Sequence, residues 1–150
     1  MAFRFFIGGR PRVITIDQNV PWKNSNRTMF AQTSEDFGSW IPLLEKAYAK
    51  LAGNYEKTAR GWMSESMRIF TGAPSHRFRI KDMSLNELWD LMMSAQNNNF
   101  PMTLATQAAE FGLIPAHAYS LVKLYYLRDS LGNVTQRMVQ LHNPWANEYY

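Results

Sequence analysis

The chain has 150 residues, 46% of them apolar and 14% aromatic, which suits one domain with a buried core and argues against intrinsic disorder. The net charge of +4 comes from 16 Lys and Arg that form no run longer than two and do not interleave with aromatics, so nucleic acid is not expected as a partner. There is no cysteine, which excludes disulfides, thiolate metal sites and a cysteine nucleophile from within the chain.

No apolar run approaches the ~18 residues a membrane span needs. The opening MAFRFFIGGRPRV is cut by Arg4 and by Gly8-Gly9-Arg10, unlike a secretory signal. A soluble intracellular protein is expected, cytoplasmic with the cytoskeleton as a further option, and the sequons at Asn26 and Asn133 are read as inert.

In chain order, FRFFI (3–7) and RVITI (12–16) read as two strands around Gly8-Gly9-Arg10-Pro11. Asp17 to Thr28 reads as loop, with a short strand near Thr28 to Ala31. SWIPLLEKAYAKLAGNY reads as a helix with Ser39 as N-cap, Pro42 in the first turn and Gly53 past the end. Its expected apolar stripe is Ile41, Leu44, Tyr48 and Leu51.

A short helix is expected over Ser64 to Phe70, stopped by Gly72 and Pro74. SLNELWDLMMSAQ reads as a third helix with a Ser84/Glu87 capping box and a stripe of Leu85, Leu88, Trp89 and Met92. MTLATQ, HAYSLVKLYYL (117–127) and VTQRMVQLHN (134–143) read as strands, the last two around the turn RDSLGN. Strands and helices mix without a βαβ repeat, so the fold class is α+β. The nine Met are read as core filler, and Trp22, Trp40, Trp62 and Trp89 as core or loop-covering residues.

The last hairpin carries the candidate chemistry. With the turn centred on Ser130, His117 lies directly opposite Asn143; a turn centred one residue later, with Gly132 left-handed, makes the pair diagonal on the same face. An Asn oxygen beside a His can accept the imidazole N–H and fix its tautomer toward a nucleophile. His76 and His142 have no such motif around them and are read as ordinary; His142 alternates with Asn143 and points to the other face.

The surrounding residues resemble the protease core of the calpain family. Ala116-His117-Ala118-Tyr119-Ser120 looks like the family's GHAYS segment, and Asn143-Pro144-Trp145-Ala146 like its NPWG segment. SWIPLLEKAYAKLAGNYE, RVITIDQNVP and FTGAP resemble three further landmarks, all in family order from about Phe3 to Trp145.

The resemblance implies a papain-like, calpain-type α+β fold, with residues 1–150 as the His/Asn-bearing part of a cysteine endopeptidase catalytic domain. It implies His117 as general base and acid, Asn143 as its orienter, and Trp145 as the shield of their hydrogen bond. It implies polypeptide substrates. No cofactor or metal ligand is expected of this chain; calcium belongs to the family, but the loop before His117 offers only Thr106, Gln107 and Glu110, and Glu148 is offset from the family position.

The family's nucleophilic Cys and oxyanion-hole Gln lie before the first matched landmark, so the expectation is a partial domain that is not a peptidase alone. Two family glycines are Ala116 and Ala146 here. The alternative is therefore a degenerate pseudoprotease module with a structural or scaffolding role. On both readings a cleft-lining face is uncovered, and other protein chains are expected as partners: a Cys-bearing subdomain or a large assembly.

Overall fold

A computed structural model describes residues 1–25, 27–33, 38–59, 61–109 and 112–144. The chain divides into two units, Met1–Arg77 and Phe78–Tyr150.

In the first unit, strands β1 (Ala2–Ile7) and β2 (Arg10–Thr15) pair antiparallel, Phe3 opposite Ile14 and Phe6 opposite Pro11. The turn is Gly8-Gly9 alone, so Arg10 and Pro11 belong to the strand. Alternation sends Phe3, Phe5, Ile14 and Ile16 to one side, where Phe5 is fully buried with Ile16, Leu43 and Ala47.

Leu43 and Ala47 come from helix α1 (Trp40–Ala52). The expected stripe is therefore rotated: its centre is Leu43 and Ala47, while Leu44, Tyr48 and Leu51 pack at the margin. Small Ala47 lets the helix lie close to Phe5, a choice that hydrophobicity alone does not flag. Ser39 precedes α1 but its side chain caps no amide. Lys50 Nζ instead reaches back to Thr15 O at 2.7 Å, and Lys46 bonds Asp17 at 2.6 Å.

Helix α2 (Met63–Thr71) ends at Gly72, whose φ is +74° and whose N–H bonds Arg68 O at 2.9 Å. Phe70 joins Phe5 and Tyr48 in a ring cluster, with centroids 5.4–6.3 Å apart around the three.

In place of the strand expected over Thr28 to Ala31, the three-residue β3 (Trp22–Asn24) pairs with the two-residue β4 (Arg27–Thr28), inside the stretch read as loop. After Thr28 the chain turns. Thr28 Oγ1 donates to Ala31 O at 2.6 Å and Gln32 Nε2 donates to Thr28 O at 3.0 Å, side-chain bonds that take the place of a ladder.

In the second unit, helix α3 (Leu85–Asn97) opens on a capping box: Glu87 N–H to Ser84 Oγ at 3.2 Å and Ser84 N–H to Glu87 Oε2 at 2.8 Å. Strands β5 (Met102–Ala105), β6 (Ala118–Arg128) and β7 (Val134–His142) form an antiparallel sheet in that order. Helix and sheet meet through Trp89, whose Nε1 donates to Tyr126 Oη at 2.6 Å, and Gln96, whose amide bonds both N–H and C=O of Leu124. Leu85 is 78% exposed and leaves the expected stripe, because these contacts all lie C-terminal to it.

The tryptophan and methionine expectations also need correction. Trp89 is buried, whereas Trp22, Trp40 and Trp62 are about half exposed or more. Trp62 stacks under the Arg77 guanidinium at 4.2 Å, which keeps its indole face occupied at the surface. None of the nine Met is fully buried; Met1 and Met29 are about half exposed, and the core centres are filled by Phe5, Leu43 and Leu124.

Candidate functional site

The hairpin register decides what meets at the end of the sheet. Ser120 pairs with His142 and Leu121 with Leu141, so the turn is the later-centred of the two considered, and Gly132 has φ +87°. Extending that register sets Asn143 across from Tyr119, one diagonal step from His117.

Two bulges lie further along, Val122 as the extra residue of β6 and Thr135 as that of β7. They sit on opposite strands, so their register shifts cancel. The first one slips the alternation of β6: Tyr119 and Leu121 face inward before it, Leu124 and Tyr126 after it.

His117 directly precedes β6 and Asn143 directly follows β7, so both emerge at one end of the sheet. The His117 Nε2–H donates to Asn143 Oδ1 at 2.8 Å. Both side chains are half-buried. With the proton on Nε2, Nδ1 is the lone-pair nitrogen and can take a proton, and the Asn oxygen then stabilises the imidazolium that forms. The ring of Tyr119 meets the imidazole edge-on, centroids 4.9 Å apart and planes at 84°. No group in the 150 residues can serve as a thiolate.

Sequence reasoning missed the groups that hold this end of the sheet together. Ala105 pairs with Ala118, and Thr106 N–H extends the ladder to His117 O at 3.0 Å. Thr106 Oγ1 then accepts from His117 N–H at 3.2 Å and bonds Ile114 O. Tyr119 Oη accepts from Ile114 N–H at 2.9 Å. The available signal was parity, since Tyr119 shares a face with His117; Thr106 counted only as a loop oxygen.

Trp145, expected to shield the pair, lies outside the described residues, as do Glu110, Ala146 and Glu148. Ala116 has φ +51°, the left-handed region. Among the described residues no three His, Asp or Glu side chains group to hold a metal ion. The Thr106 hydroxyl is engaged by Ile114 O and His117 N–H. No helix among the described residues is long and apolar enough to cross a membrane.

Residues 1–150 match the family described as calpain family cysteine protease. Calpain-A of Drosophila melanogaster is 34% identical over 155 residues, covering 97% of this chain and 19% of that protein. Calpain-14 of Homo sapiens is 31% identical over 148 residues, covering 96% and 21%. The calpain-type cysteine protease ADL1 of Oryza sativa subsp. japonica is 27% identical, covering 97% and 7%. The chain thus spans about a fifth or less of the length of these relatives.

Proposed function

Because the chain belongs to the calpain family of cysteine proteases, we propose that its 150 residues are the His/Asn-bearing part of a peptidase catalytic domain, acting on polypeptides once a cysteine is supplied from outside them. The observation that supports this reading is the 2.8 Å bond from His117 Nε2–H to Asn143 Oδ1.

His117 Nδ1 takes the thiol proton of that cysteine, and the thiolate attacks the substrate carbonyl. The imidazolium, held by Asn143, returns its proton to the leaving amine. In deacylation the neutral imidazole activates water. Partners on this reading are a Cys-bearing segment or chain, within a larger assembly. The isolated chain has no peptidase activity, because nothing in it forms the acyl intermediate.

A degenerate module with a scaffolding role is the second reading. What favours it is Ala116 at φ +51°, an alanine in a conformation where the resembling segments carry glycine.

The test is polypeptide cleavage by the natively isolated complex or longer chain, with wild type, His117→Ala and Asn143→Ala side by side. The peptidase reading expects His117→Ala to abolish cleavage and Asn143→Ala to reduce it by about 10²-fold or more, the scale of losing an oriented base. Cleavage untouched by His117→Ala, or absent from the wild type, overturns it; the latter outcome with an intact assembly supports the scaffold.

A further inference from the structure

We propose that Thr106, with the hydroxyl of Tyr119, is a positioning clamp that fixes the backbone of His117 and so the direction of its ring. The proposal rests on the reading of His117 as the base, and it concerns residues outside the His/Asn pair.

Thr106 to His117 is an excursion of twelve residues that leaves β5 and returns at the start of β6. An excursion of this length carries closure entropy, and Pro115 restrains the return only at its own φ and at Ile114 before it, which leaves the neck to be closed. The structure closes it at the neck with side chains. Thr106 Oγ1 bonds Ile114 O and accepts from His117 N–H at 3.2 Å, while Thr106 N–H bonds His117 O at 3.0 Å. Tyr119 Oη accepts from Ile114 N–H at 2.9 Å, so the two hydroxyls take both backbone groups of Ile114.

Both backbone groups of His117 therefore end on one residue. Ala116 lies between the two clamped residues at φ +51°, where an L side chain sits uphill. Without the clamp, Ala116 relaxes to negative φ, which swings the His117 peptide and takes the ring off Asn143. The edge contact of Tyr119 with the imidazole then limits the ring itself, so one side chain serves both the neck and the histidine.

The test is nitrogen NMR of the neutral His117 ring in the labelled chain. Wild type, Thr106→Val, Thr106→Ser and Tyr119→Phe are compared, with the Trp89 indole signal as the record of an intact fold. The wild type is expected to show one tautomer with a protected Nε2–H. Thr106→Val is expected to mix the tautomers and speed Nε2–H exchange about tenfold, the equivalent of one lost hydrogen bond. Thr106→Ser restores the wild-type signature, and Tyr119→Phe, which keeps the ring, moves it in the valine direction.

A wild-type signature that persists in Thr106→Val and Tyr119→Phe overturns the clamp and leaves the base reading standing. A wild type that lacks the Nε2–H tautomer overturns the base reading itself. If Thr106→Val loses the Trp89 signal, the Tyr119→Phe and Thr106→Ser spectra decide: wild-type tautomer in the phenylalanine variant, or disorder of the ring in the serine variant, contradicts the clamp.

Discussion

Ala116 holds a left-handed backbone immediately before His117, and an L residue there costs about 1–2 kcal/mol. Glycine would relieve that cost while losing part of it to unfolded-state entropy, so Ala116→Gly is expected to stabilise the fold by about 0.5–1 kcal/mol in denaturant unfolding. A neutral or destabilising result would mean that the alanine carries no strain at that φ. Glu45 poses a different single-residue problem. Burial pushes its carboxyl above the usual value of 4.5, only partly offset by the Ala31 N–H it accepts at 2.9 Å. The folded state therefore binds the proton more tightly than the unfolded one. The stability from this group is fully present below about pH 4.5 and is lost as pH rises through its folded value. Unfolding free energies measured against pH should show wild type falling relative to Glu45→Gln across that window; parallel curves would refute the burial argument.

At the scale of elements, much of the second unit follows from local chemistry legible in the sequence. The Ser84/Glu87 box starts α3, and the β6–β7 hairpin lies almost where alternation and turn residues put it. The bulge at Val122 was not legible, because period-two reasoning has no term for one extra residue, and the inward set changes parity across it. The role of Gln96 was hidden for a similar reason: a polar residue on a helix reads as solvent-facing until the strand edge beside it is known. Beyond Leu121 the strand β5 no longer covers β6, and Gln96 takes its place as a surrogate peptide for Leu124, which is 2% exposed. Gln96→Leu strands both backbone groups and is expected to cost about 1–3 kcal/mol in thermal or urea unfolding. In the first unit Gly72 is a comparable fixed point. A Cβ there would lie 2.8 Å from the Phe6 ring at a φ of +74°. Gly72→Ala should cost about 2–4 kcal/mol from overpacking and backbone strain together, and a loss below about 0.5 kcal/mol would show that Phe6 moves freely.

Across the whole molecule, order in the sequence carried further than any single residue. Landmarks spread from Phe3 to Trp145 implied a calpain-type α+β chain, and the match over residues 1–150 establishes the family. Helix faces were less legible than helix positions: Leu43 and Ala47 form the centre of α1's buried side, since packing against Phe5 selects residues by size as well as by apolarity. Composition supplied the other whole-chain fact, a protease-family chain without a cysteine. The central claim is that His117 and Asn143 serve a cysteine contributed from outside these residues. Its most direct test is labelling of the natively isolated assembly with a cysteine-directed epoxide, comparing wild type with His117→Ala. The account expects one labelled cysteine whose modification at neutral pH depends on His117. A stable assembly with no labelled cysteine, or labelling equal in the two proteins, would contradict it and leave the hairpin as architecture.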